Sequence, residues 1–256
     1  MVDTMHVMDW QDNGIVLSAR RHGETSAIVQ VLTRERGVHG GLVKGGFSKR
    51  TRATIEPGNI VQARWRGRLA EHLGQYQLET QHSHGAGLME SRDLLAAMSA
   101  ALSMCAGALP EREPHPAMFE VLSTFLAALE HADIAAHVEA WGSLYVKWEL
   151  GLLKELGFRL DLDHCAATGV TDDLVWVSPK SARAVSREAG EPYRDKLLAL
   201  PKFLCEEGGI ADTHADVVQG LKLTGYFLDR HIFSTHDRTM PRARARLVER
   251  LVGLNR

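Results

Sequence analysis

Ile60-Val61-Gln62-Ala63-Arg64-Trp65-Arg66-Gly67-Arg68 alternates apolar and polar side chains from Val61 onward. In an extended chain successive side chains point to opposite faces. Val61, Ala63 and Trp65 therefore share one face, while Gln62, Arg64, Arg66 and Arg68 share the other. Such a strand belongs to a sheet with one side on a core and one in water, with Trp65 on the core side. The arginines recur about 6–7 Å apart. Successive phosphates of one strand rise about 3.4 Å along the axis of duplex DNA and more on a stretched strand, a spacing the row approximates.

Working outward, strand-length β-branched runs occur at Gly14-Ile15-Val16-Leu17-Ser18 and at Ala27 to Thr33. Gly37 to Lys44 follows, and its glycines predict a bulge or a strong bend. Ile55-Glu56-Pro57-Gly58-Asn59 supplies a turn, because Pro fixes φ and Gly admits positive φ. Gly74 to Thr80 closes the series, with Tyr76 and Leu78 alternating against Gln75, Gln77 and Glu79. Five short strands within about 80 residues predict a small closed barrel of OB-fold type. An SH3-like barrel satisfies the same pattern.

From Ser91 the apolar period changes from two to 3.6. Leu94, Leu95, Met98, Leu102 and Cys105 form one stripe. Phe119, Leu122, Phe125, Leu126 and Leu129 form a second, after the proline-broken Leu109 to Pro116. Val138, Trp141, Tyr145, Trp148 and Leu152 mark a long helix stopped by Gly157, its tryptophans expected to pack inward. Thr213-His214-Ala215-Asp216 is a capping-box pattern ahead of Val217, Leu221, Phe227, Leu228 and Ile232, and Pro241 opens a last helix. The expected organisation is a barrel domain over 1–86 and an α-helical domain over 87–256. An irregular insertion at about 158–193 holds an isolated strand-like Leu174-Val175-Trp176-Val177.

The 256 residues are 45% hydrophobic and 24% charged, enough to bury a core without disulfides. No run approaches the ~18 apolar residues of a membrane span, and the start lacks a secretory pattern. Three scattered cysteines make no disulfide framework, which predicts a soluble protein of the reducing cytoplasm. The net charge of −2 conceals strong segregation. Residues 34–68 hold nine basic side chains (Arg34, Arg36, Lys44, Lys49, Arg50, Arg52, Arg64, Arg66 and Arg68) against Glu35 and Glu56, giving +7. Arg238 onward carries +5, whereas 69–237 carries −12. Segregation of this kind suggests a polyanion partner for the basic part; a merely solvated basic surface is the plain alternative.

Catalytic signatures are missing. Gly41 and Gly46 have P-loop spacing, but Phe47 stands where the lysine is needed. His82-x-His84 has no cysteine or carboxylate at ligand spacing beside it. Cys165 lacks the paired cysteines of a zinc ribbon and reads as a packed thiol, as do Cys105 and Cys205. The loop acids Asp161, Asp163, Asp172 and Asp173 have no partner constellation. No enzyme, cofactor or metal is expected. Phe47, in a basic glycine-rich loop, is a candidate for stacking on a base.

Gly14-Ile15-Val16-Leu17, Gly23-Glu24-Thr25-Ser26, Val31-Leu32-Thr33, Gly37 and Leu42-Val43-Lys44-Gly45-Gly46-Phe47-Ser48-Lys49-Arg50, in this order, resemble the RecO family. Members of that family are bacterial DNA repair and recombination mediators of the RecF pathway. Tyr145-Val146-Lys147-Trp148-Glu149-Leu150, Leu156-Gly157-Phe158 and Leu162-Asp163-His164-Cys165-Ala166-Ala167-Thr168-Gly169 continue the resemblance from about Asp9 through nearly the whole chain. It implies an N-terminal OB-fold, a helical C-terminal domain and no catalytic centre. It also implies binding of single- and double-stranded DNA, strand annealing, and association with RecR and the C-terminal tail of single-strand binding protein (SSB). Loading of RecA onto SSB-coated DNA, together with RecR, follows from the same likeness. Some members hold zinc through four cysteines; this sequence keeps only Cys165, so zinc is not carried over. Phe47 replaces the family's usual basic residue after Gly46. The ten residues expected to contact DNA are the nine basic ones of 34–68 and Phe47. A protein-docking adaptor and an RNA-binding OB protein are the rival functions.

Overall fold

The computed structural model describes residues 8–69 and 72–253, with the backbone alone at Arg50. Its first strand, β1 (Met8–His22), is much longer than Gly14 to Ser18. Residues 8–15 pair with β4 (Asn59–Gly67) and residues 14–22 with β2 (Ser26–Thr33). A register shift between Val16 and Ser18 lets the strand bend from one neighbour to the other. With β3 (Gly37–Val43), the six-residue helix α1 (Lys49–Thr54) and β5 (Gly74–Ser83), the strands close a barrel in the order β1-β2-β3-β5-β4. This is the OB-fold topology.

The bulge expected in 37–44 does not occur, since β2 and β3 pair in continuous register from Ala27–Val43 to Thr33–Gly37. The glycines do other work. Gly37 turns the chain at φ +67°, and a Cβ on Gly41 would lie 2.3 Å from the Tyr76 ring. Val61, Ala63 and Trp65 are completely buried, as the alternation requires. Trp10 stacks on Trp65 at 5.7 Å, and the buried His39 ring meets both edge-on. Trp65 Nε1 donates to Gly40 O and Tyr76 OH to His39 O, each at 3.2 Å, so both polar handles are satisfied inside the core.

Burial holds the His39 pKa below its ordinary 6.5, because the charged ring would lose water and the Gly40 carbonyl and Glu111 offset that loss only in part. The unfolded chain takes up that proton near 6.5 while the folded barrel resists it. Acidification below 6.5 therefore favours the unfolded state, and the contribution is fully present above it. Melting temperature should fall from pH 7 to pH 5 with a shallower slope in His39→Leu than in the wild type. Equal slopes would remove His39 as a cause.

After α2 (His84–Gly87), α3 (Arg92–Ala108) packs on β1 and β2, and residues 111–112 return to β3 through Arg112 N donating to Val38 O. α4 (Pro116–Ala128) follows. Strands give way to helices after Ser83, but compact packing divides the chain between Ala127 and Ala128. The helix on the barrel wall accounts for that difference.

The second unit contains α5 (Ala132–Ala135), α6 (Val138–Glu155), α7 (Arg187–Gly190), α8 (His214–Leu228) and α9 (Arg242–Gly253). Trp141 and Trp148 are buried on α6, Gly157 ends it at φ +83°, and the Thr213–Asp216 capping box is formed. Leu174–Val177 (β6) is not isolated. It is the centre of a three-stranded sheet between Ala184–Ser186 (β7) and Leu198–Ala199 (β8). Cys105 and Cys165 are buried, but Cys205, expected in the core, is exposed just after the short turn at Lys202–Leu204. Among the described residues no helix is long and apolar enough to cross a membrane.

Candidate nucleic-acid interface

Register builds the site. On the outer face, Gln77 of β5 stands opposite Arg64 of β4, and Arg64 opposite Gln11 of β1. One pleat further, Leu42, Gln75, Arg66 and Asp9 line up across β3, β5, β4 and β1 in the same way. Strands lie about 4.8 Å apart and alternate residues 6–7 Å apart, so these side chains form a grid. α1 stands beside it, its first turn fixed by Ser48 Oγ accepting from Thr51 N. Lys44, Thr51, Arg64, Arg66, Gln75 and Gln77 line a cleft of about 410 Å³, with Leu42 and Leu78 as apolar lining.

Lys44, Arg64 and Arg66 are thus brought together. Lys49 and Arg52 are exposed on α1, the helix that contributes Thr51, and Arg52 lies 3.9 Å from Glu56. Arg68 is exposed at the start of the β4–β5 turn. The Arg50 side chain lies outside the described residues.

The other expected contacts are placed differently. Arg34 and Arg36 sit in the β2–β3 turn, at the opposite end of β3 from Lys44. Arg34 pairs with Glu120 at 2.8 Å, and the Arg36 guanidinium covers the Trp10 ring at 5.3 Å. Neither lines the cleft. Phe47 is half-buried against the barrel core, and the Arg21 guanidinium lies 4.9 Å above its ring, where a stacked base would sit. Arg21 itself was missed, because it belongs to a stretch of net negative charge. The β1–β2 hairpin carries it to the basic loop.

Asp9 was missed as well. Its Oδ1 accepts from Arg64 Nε at 3.2 Å, and its Oδ2 accepts from Arg64 Nη2 and Arg66 Nε, both at 2.8 Å. The Arg64 hydrogen bond, reinforced by Arg66, holds this carboxyl down to about 2, so it is ionised at neutral pH. The two arginines and Asp9 together present +1 rather than +2.

The C-terminal basic stretch is divided between surface and core. Arg242 and Arg246 are exposed on α9, but Arg244 is buried. Its Nε donates to Glu149 Oε1 at 2.6 Å, and its Nη2 to Glu149 Oε2 at 2.9 Å and to Leu221 O at 2.8 Å. It is a core group of the second unit, not a contact for a polyanion. His82 and His84 stand edge-on at 4.5 Å, His82 exposed and His84 buried at the start of α2.

A closed OB-fold barrel with a cationic outer cleft, continued by helices, places the chain among multidomain OB-fold proteins. Its two parts match known domains in that order: "Recombination protein O N terminal" over residues 5–83 and "Recombination protein O C terminal" over residues 89–240. The chain belongs to the RecO family of DNA repair and recombination proteins. A protein described as "DNA repair protein RecO" from Rhodospirillum centenum is 53% identical over 95% of this chain and 94% of its own length. Proteins of the same description from Phenylobacterium zucineum and Caulobacter vibrioides are 48% and 47% identical, each over 95% of this chain and 98% of their own length.

Proposed function

We propose that this chain is a non-catalytic recombination mediator that grips DNA backbones through the outer face of its barrel and anneals complementary single strands. The observation that carries this reading is the convergence of Lys44, Arg64 and Arg66, with Gln75 and Gln77, on one cleft of nucleotide size. Cations spaced along a strand neutralise successive phosphates and release counterions. A grip on backbone leaves base edges free to pair, which annealing requires. A cationic surface screens the repulsion between two polyanions and lets them approach.

The division of labour follows the charge. Residues 1–86 bind single- and double-stranded DNA, and the helical remainder docks RecR and the SSB tail, so that RecA is loaded on SSB-coated DNA. Family membership supports these partners. Exposed Arg242 and Arg246 give α9 a cationic face for DNA or for the acidic SSB tail. The setting is the cytoplasm, at the nucleoid.

The test is annealing of complementary labelled oligonucleotides across a salt series, with and without SSB. Annealing should persist on SSB-coated strands. The log–log slope of strand affinity against salt should be roughly −0.7 for each phosphate neutralised, hence about −1.4 for the net +2 that Lys44, Arg64, Arg66 and Asp9 present together. Absence of DNA binding at low salt by folded protein would favour the adaptor. A preference for RNA over DNA of equal length would favour the RNA-binding reading.

A further inference from the structure

We propose that Asp9 is an internal stand-in for a strand phosphate, competing with DNA for Arg64 and Arg66 and thereby setting how tightly strands are held. The proposal rests on the DNA-binding reading above. The Asp9 carboxylate takes a two-toothed pair of hydrogen bonds from Arg64 and a third from Arg66, which is how a phosphate is held between two guanidinium groups. The strand pairing of β1 with β4 puts Asp9 directly opposite Arg66, so the occupant is aimed at the row by the fold itself.

A structural role explains the contact poorly. The Arg64 and Arg66 side chains are 51% and 63% exposed, and exposed ion pairs add little to stability. This part of the barrel is held by Trp10 and Trp65, the residues next to Asp9 and between the two arginines, which pair and stack inside the core. What Asp9 does change is the local charge, which it halves. Arg66 keeps both Nη groups free of Asp9, so an incoming phosphate has a first contact before the carboxylate is displaced. A mediator that anneals must also let the paired product go, and an internal anion ready to retake the arginines shortens the hold.

Asp9→Asn keeps the shape and removes the charge. With the full-length protein and a labelled single-stranded oligonucleotide, affinity at ~0.1 M salt should rise about fivefold, and the salt slope should steepen by about 0.7. Those are the effects of one added phosphate contact extrapolated to 1 M. Release of the annealed duplex should slow. In an Arg64→Gln, Arg66→Gln background the gain should be clearly smaller, because no guanidinium is released to phosphate and only the repulsion of the bare carboxylate is removed; a gain as large as in the wild type would make Asp9 a plain repulsive charge and overturn the proposal. Unchanged or weaker binding by Asp9→Asn, with an unchanged melting temperature, would overturn the proposal; weaker binding would make Asp9 a support that positions the arginines. A wild-type protein without salt-dependent DNA binding would instead sink the DNA-binding reading, and this inference with it.

Discussion

Reversing the charge of the row, Arg64→Glu together with Arg66→Glu, is expected to abolish DNA binding and to leave the barrel folded. Both side chains leave β4 on the face away from Val61, Ala63 and Trp65, so nothing in the core changes volume. Losing two phosphate contacts at about −0.7 each costs about 25-fold in affinity at ~0.1 M salt. The introduced carboxylates then repel the same phosphates and carry the loss beyond roughly 100-fold. They also face Asp9, with Arg66 directly opposite it across the β1–β4 pair, and like charges in that arrangement weaken strand pairing. Arg64→Gln with Arg66→Gln supplies the comparison, removing two positive charges without adding new carboxylates and stopping near the 25-fold mark. Fluorescence anisotropy gives the affinity, and circular dichroism with thermal melting shows whether the barrel persists. Full affinity in a folded double variant would take the outer face of β4 out of the binding site.

What the sequence discloses about this face is its local part. Period-two alternation around Trp65 is a property of neighbouring residues, and it placed Arg64 and Arg66 in solvent correctly. Asp9 comes to them from 55 and 57 residues away through the β1–β4 register, which no local pattern encodes. The same reason hid Arg21, whose approach to Phe47 depends on how the β1–β2 hairpin folds over the loop. The glycines of β3 suggest a bulge in sequence because room for a partner's ring and room for a bulge look alike there. The strands at Ala184–Ser186 and Leu198–Ala199 are three and two residues long, too short to show a period, so Leu174–Val177 looked solitary. Arg244, by contrast, was legible. Arg242, Arg246 and Arg250 follow one another at helical spacing and are exposed, whereas Arg244 shares the buried stripe of Leu247 and Leu251. A cation on an apolar stripe calls for a buried anion, and counting charge along the chain passed over that placement.

That anion is Glu149, and its removal is expected to be the most damaging single substitution in the second unit. Glu149 is fully buried on α6, and Thr224 Oγ1 of α8 donates to the Oε2 that also accepts from Arg244, so one carboxylate ties α6, α8 and α9 together. The attraction of Glu149 holds the Arg244 pKa up against the burial that would lower it. A Cβ on Gly225 would come 2.8 Å from the guanidinium, so α8 is shaped around this group. Glu149→Ala leaves the guanidinium buried with its carbonyl bond to Leu221 and no counter-charge, a loss of about 3–5 kcal/mol. At roughly 2–4 °C per kcal/mol for a chain of this size, melting should fall by roughly 10 °C. Arg244→Met should cost less, because Thr224 Oγ1 still donates to the Glu149 carboxylate. Glu149→Leu combined with Arg244→Met should recover most of the loss. A buried pair largely repays its own desolvation, whereas one charge left alone does not. Urea titration of the four proteins reads the three differences, and a Glu149→Ala variant within about 1 kcal/mol of the wild type would show that water reaches Arg244 and that the pair is not the lock between these helices.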